Sequence, residues 1–193
     1  MDLFEPPRIL RDLEHYPEEA VIVGRLLAGY SDVEVMLLYC VEHVQHDFGT
    51  AVKVMYRARG ETQRIDVADA LARTHYHRHR LGTRFEMAIG ALRHCLKIRN
   101  QYAHCAWFPE MEGVKRLGFV NLEETAREYG AVNFKMNVHY LDLALLHAQH
   151  AFFDRTMGLF LWLGREVQIR EGNETKNPHS WPAELKLPDL HIP

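Results

Sequence analysis

Thr83-Arg84-Phe85-Glu86-Met87-Ala88-Ile89-Gly90-Ala91-Leu92-Arg93-His94-Cys95-Leu96-Lys97-Ile98-Arg99-Asn100-Gln101-Tyr102-Ala103-His104-Cys105-Ala106-Trp107 decides the fold. Phe85, Ile89, Leu92 and Leu96 recur at the 3.6-residue period of a helix with one buried stripe. Thr83 with Glu86 three residues on reads as a cap of that helix. Ala103 continues the stripe, Arg99 lies at its edge, and the helix is expected to run until Pro109 disfavours helical backbone at Phe108. Its last turns carry the chemistry. Arginine offers a permanently charged fork that matches phosphate oxygens. Histidine exchanges protons near neutral pH. Asn100 lies four residues before His104, a spacing that stacks two side chains on one helical face, within hydrogen-bonding reach. Arg99 and His104 are roughly 140° apart on an ideal helix, so the arginine must reach round or the last turn must loosen.

Upstream, a helix is expected from Pro17, with Glu18 and Glu19 in its first turn, where the helix dipole favours acids. Apolar positions continue through Val23, Leu26, Leu27, Val33, Leu37, Val41 and Val44. Gly29-Tyr30-Ser31 interrupts them, and Ser31 to Glu34 reads as a capping box, so either a restart or one long helix to about Asp47 fits. Gly49-Thr50 opens a shorter helix to about Arg59, which Gly60 stops. A further helix is expected from Asp66 to Arg80, with a break at Gly82-Thr83.

Downstream, Gly113, Gly118 and Gly130 punctuate two short stretches, Lys115–Asn121 and Val132–Val138. Val132, Phe134, Met136 and Val138 alternate as in a half-buried strand. A last helix is expected from about Tyr140 to Arg170, ending at Gly172. The expectation is an all-α, antiparallel helical bundle with a small β-hairpin or extended insertion before the last long helix. Residues 1–171 form one domain and 172–193 a proline-containing extended tail, whose Trp181, Leu185, Leu187 and Leu190 offer docking side chains.

Apolar residues at 47% and charged residues at 25% are those of a soluble globular domain. The start, Met1-Asp2-Leu3-Phe4-Glu5-Pro6-Pro7, does not read as a secretory leader, and no apolar run approaches a membrane span. Cys40, Cys95 and Cys105 lack paired spacing and read as buried free thiols in a reducing cytoplasm. The net charge of −3 argues against general nucleic-acid binding, but the charge is uneven. From Lys53 to His104, eleven Lys and Arg stand against four acids, a net of +7, leaving −10 for the rest. Clustered arginine is the footprint of a phosphate-binding face; a solvated surface balanced by acids in three dimensions is the alternative.

Arg99-Asn100-Gln101-Tyr102-Ala103-His104 resembles the signature of HEPN (higher eukaryote and prokaryote nucleotide-binding) domains. The resemblance implies a helical bundle that dimerises through the motif helix, each centre being a groove with two Arg and two His. It implies a metal-independent endoribonuclease, in which His104 moves protons, Arg99 stabilises phosphorane charge and Asn100 orients the site. It suggests Glu34 as a supporting acid for Arg99, RNA as substrate, no cofactor, and a toxin or defence role with a regulatory protein partner. It leaves open a catalytically inactive nucleotide-binding or interaction module. Tyr102 and Trp107 flank the motif and could stack bases.

His75 and His79 are four apart, as in zinc-binding pairs, but no local acid completes them and no HExxH motif is present. Glu42/His43/His46 and His147/His150 are similar pairs. All read as ordinary helical histidines, and no metal is expected. Cys105 diverges from His104 on a helix, so no Cys–His pair is expected. No glycine-rich phosphate loop or dinucleotide fingerprint is present.

Overall fold

A computed structural model describes residues 11–108, 116–127, 136–182 and 185–192. After a short 3₁₀ turn at Arg11–His15 come helices α1 (Pro17–Gln45), α2 (Phe48–Arg57), α3 (Glu61–Arg78) and α4 (Gly82–Ala103). Strands β1 (Cys105–Phe108) and β2 (Gly118–Asn121), helix α5 (Leu122–Arg127), strand β3 (His139–Tyr140) and helix α6 (Leu143–Arg170) complete the order. The protein is a mostly helical bundle with a small antiparallel sheet ahead of its last helix, as the pattern of periods predicts.

Helix α1 runs unbroken through Gly29-Tyr30-Ser31. Tyr30 and Val33 are buried there, so packing outweighs the local capping signal. Helix α2 starts one residue before Gly49, because the Asp47 carboxylate accepts from the Gly49 amide at 2.9 Å and from the Thr50 hydroxyl at 2.6 Å. Helix α3 starts at Glu61 rather than Asp66, directly after Gly60, whose φ of 87° ends the preceding segment. The core lies where α1, α3, α4 and α6 meet, with Leu26, Leu37, Ile65, Phe85, Leu92, Phe152 and Leu163 in its interior.

Two further boundaries differ from expectation. Helix α4 stops at Ala103, and Cys105–Phe108 is a strand rather than the helix's last turn. The alternating segment expected at Val132–Val138 falls partly on 132–135, outside the described residues. Its described end, Met136 to Val138, is irregular, and the strand lies at His139–Tyr140. Cross-strand pairing explains both. Trp107 is opposite Phe119, and Phe119 is opposite His139. Their rings lie 5.6 Å and 5.4 Å apart, an aromatic row across the sheet. Tyr102 and His191 meet Phe119 edge-on from the helical side.

The C-terminal segment packs along α4 and α6. The Gln101 amide donates to Ile192 O at 2.8 Å and accepts from the His191 amide at 3.2 Å. The Gln149 amide donates to Asp189 O at 2.9 Å, and His94 Nε2 lies 2.8 Å from Pro188 O. Arg84 sits over both Trp162 and Trp181. Trp181, Leu185 and Leu190 pack against the core, whereas Leu187 is exposed.

Candidate functional site

One side chain does most to fix the end of α4. Asn121, buried at the end of β2, donates from Nδ2 to Gln101 O at 3.1 Å and reaches Asn100 O at 3.5 Å, capping the last carbonyls of α4. Its Oδ1 accepts from the Glu123 and Glu124 amides at 2.9 Å and 3.0 Å, capping α5. The Leu122 amide donates to His104 O at 3.1 Å. His104 therefore leaves the helix with φ −125° and ψ 48°, held by its backbone while its side chain is 57% exposed. The last turn thus loosens at this residue, but among the described residues its ring pairs with Glu123 and not with Arg99.

Arg99 and Asn100 are brought together. Arg99 Nη1 donates to Asn100 Oδ1 at 3.1 Å, so the Asn100 amide serves Arg99 and not His104. The same Nη1 lies 3.8 Å from Glu61 Oε1, while the Nε of Arg99 is buried and makes no hydrogen bond. Glu34 does not take the role expected of it. Its Oε2 accepts from Arg64 at 2.7 Å and from the Tyr56 hydroxyl at 3.2 Å, and Glu61 is the acid beside Arg99. Burial raises the Glu34 carboxyl above its ordinary value against the opposing pull of Arg64. Burial, then Glu34 and Glu61, push the Tyr30 phenol upward too.

His104 Nε2 lies 3.7 Å from Glu123 Oε1. Glu123, Glu124, Lys97, Asn100, Gln101 and Asn121 line a cleft of about 330 Å³ that Leu190 and Ile192 of the C-terminal segment help to wall. Asn100 borders this cleft and also holds Arg99.

Tyr102 and Trp107 are not open stacking surfaces. Tyr102 is 2% exposed, its hydroxyl donates to Gln149 Oε1 at 2.6 Å, and His191 Nδ1 lies 2.8 Å from its oxygen. Trp107 is partly buried in the aromatic row of the sheet. Cys105 donates to Gln101 O, and burial pushes its thiol up to about 12, which removes it as a nucleophile. All three cysteines are free thiols, and Cys40 and Cys95 are buried.

The basic 53–104 segment neutralises part of itself. Arg64 and Arg99 reach Glu61, Arg73 reaches Asp69 and Glu86, and Arg93 reaches Asp66 and Asp69. Every acid of the segment is thus paired within it, and Glu34 from α1 takes Arg64 as well.

The discounted histidine pair gains an acid. Glu171, next after α6, brings Oε1 to 3.0 Å from His75 Nε2 and 3.7 Å from His79 Nε2. Glu61, Glu123 and Glu171 lie far from their partners in sequence, and no periodicity announces them. Asn121 had a signal: Asn121-Leu122-Glu123-Glu124 reads as a helix cap with an acidic first turn. Its donation back to α4 had none.

No family model, no curated protein and no solved structure matches the chain.

Proposed function

We propose that the protein is a metal-independent endoribonuclease of the HEPN type, acting at the end of α4. The observation that carries this reading is His104, a solvent-exposed imidazole on a backbone fixed by Asn121 and Leu122, at the end of the helix that carries Arg99 and Asn100. RNA brings its own nucleophile. The 2′-oxygen attacks the adjacent phosphorus, the P–O2′ bond forms, and the P–O5′ bond breaks. One His104 takes the 2′-hydroxyl proton, and His104 of a second copy delivers a proton to the leaving 5′-oxygen. The product ends are a 2′,3′-cyclic phosphate and a 5′-hydroxyl, and no metal or water is consumed. Arg99 would stabilise the charge that develops on the phosphorane oxygens. Its bond to Asn100 and its contact with Glu61 keep the guanidinium aimed while leaving it 27% exposed.

The proposal includes a homodimer in which two α4 ends face one groove, because one imidazole cannot hold and release a proton at opposite ends of the same displacement. The free cysteines fit a reducing cytoplasm. No described helix is long and apolar enough to cross a membrane. A toxin or defence role, with a protein partner that restrains the enzyme, belongs to the same proposal.

A second reading is a catalytically inactive interaction module. Glu123 and Glu124 on the cleft wall, and Glu61 on Arg99, favour it, since acids repel a polyanion. Purified wild type, Arg99→Ala and His104→Ala incubated with mixed RNA in excess chelator separate the two. The nuclease reading expects His104→Ala to lose roughly 10²–10⁴-fold in rate and Arg99→Ala to lose about 10²–10³-fold. Equal cleavage by all three proteins overturns it, and no cleavage by wild type leaves the interaction module.

A further inference from the structure

We infer that His75, His79 and Glu171 form a binding site for one divalent transition-metal ion of the zinc class, which clasps the C-terminal end of α3 to that of α6. The candidate ligand atoms of the three side chains all lie within 4.8 Å of one another. Four-coordinate zinc with bonds of about 2.0–2.1 Å places its ligands roughly 3.3 Å apart. The distances from Glu171 Oε1 to the two imidazole nitrogens, 3.0 Å and 3.7 Å, bracket that spacing. The rings of His75 and His79 are 4.7 Å apart, on one face of α3 as their i,i+4 spacing dictates.

The second observation is an unsatisfied atom. His75 Nε2 is buried and makes no hydrogen bond, although a carboxylate oxygen lies 3.0 Å away. The contact lacks the direction of a hydrogen bond, and a buried polar atom without a partner is costly. A cation held between nitrogen and carboxylate satisfies both. Neutral imidazole is the ligand form, and His₂–carboxylate is an established zinc donor set that leaves a position for water.

The site is also oriented. The Arg170 guanidinium bonds to His79 O and to Glu166, joining the ends of α6 and α3 by a second route. Asn173 Nδ2 donates to Glu171 Oε2 at 3.3 Å, which leaves Oε1 turned to the histidines. His77, two residues from each of the histidine ligands and therefore on another face of α3, turns instead to Glu86 of α4. Helix α3 contributes Glu61 at the Arg99 end and His75 at this end, a rise of about 20 Å between them. The metal clasp is therefore separate from the α4 motif, and it does not rest on the ribonuclease reading.

Chelator-stripped full-length protein titrated with Zn²⁺ in a calorimeter, and with Co²⁺ by visible absorption, tests the inference. Wild type is expected to bind one equivalent tightly enough to raise the unfolding temperature. His79→Ala and the near-isosteric Glu171→Gln should each weaken binding at least about tenfold, the lower bound for losing even a supporting group at a metal site. His77→Ala should bind as wild type. Circular dichroism of the metal-free proteins keeps a folding defect apart from a lost ligand. Absence of micromolar binding overturns the site. So does unchanged affinity in folded Glu171→Gln, which would reduce the contact to a surface histidine pair.

Discussion

Asn121 is the residue whose removal is most informative, because it caps two helices at once and sets the position of His104. In Asn121→Ala the Glu123 and Glu124 amides lose their acceptor, and Gln101 O loses its amide donor and keeps only the Cys105 thiol. Loss of a helix cap costs about 1 kcal/mol, within a range of roughly 0.5–2. Loss of the stronger of two donors to a buried carbonyl costs about 0.5–1.5 kcal/mol more. The sum, about 1.5–2.5 kcal/mol, corresponds to a fall of roughly 3–10 °C in Tm for a chain of this size. Asn121→Asp divides the two contributions. It keeps the acceptor for the α5 amides but sets a carboxylate oxygen against Gln101 O, where Nδ2 now lies 3.1 Å away. It should still lose about 1–3 kcal/mol despite the favourable charge at the start of α5. Urea unfolding followed by circular dichroism measures both variants, and hydrogen exchange of the Leu122 amide, which donates to His104 O, reports the site itself. An Asn121→Asp protein as stable as wild type would refute the argument that Asn121 holds the end of α4.

Three further outcomes follow from contacts elsewhere. Arg64→Ala should cost about 3 kcal/mol in urea unfolding, because it strands the buried Glu34 carboxylate; the loss should be much smaller in a Glu34→Gln background, and an equal loss in both would contradict the pairing. His191 lies between the Asp142 amide, which donates to its Nε2 at 3.1 Å, and the Tyr102 hydroxyl, so it is bound as a neutral ring with its proton on Nδ1. Burial lowers its pKa, with Asp142 opposing and His139 reinforcing. The unfolded chain then takes up the proton first, so this contribution to stability is complete above the unfolded value of about 6.5 and is lost as pH falls toward the folded value. Urea midpoints of wild type and His191→Ala should converge between about pH 7 and pH 5, and a constant difference would rule the linkage out. Excess chelator should lower the Tm of metal-loaded wild type without slowing RNA cleavage, and a parallel loss of both would mean the two sites are not independent.

The helices were legible because burial repeats with their period. Phe85, Ile89, Leu92 and Leu96 are all buried in α4 as their spacing requires. The strand at Cys105–Phe108 was not, because four residues carry no period and its partner is Gly118–Asn121, beyond a connection. The roughly 140° separation of Arg99 and His104 was visible in the spacing, and the last turn does loosen at His104, whose backbone leaves the helix. Tyr102 looked like a stacking residue because its position beside the motif says nothing of Gln149 and His191, which enclose it. Glu61 replaced Glu34 beside Arg99 for a similar reason: helix α3 begins five residues earlier than its apolar pattern suggests, and that extra turn carries the acid. Glu171 completes the histidine pair from the far end of α6, a contact that only the packing of α3 against α6's end creates.

The central claim is that the end of α4 cleaves RNA through the RNA's own 2′-hydroxyl. The most direct measurement identifies the fragment ends produced by wild type and His104→Ala in excess chelator, from an RNA and from its fully 2′-O-methylated copy. The account predicts 2′,3′-cyclic phosphate and 5′-hydroxyl ends from wild type on RNA, and intact chains in the other three reactions. Cleavage of the methylated copy, or 5′-phosphate ends from wild type, would contradict it.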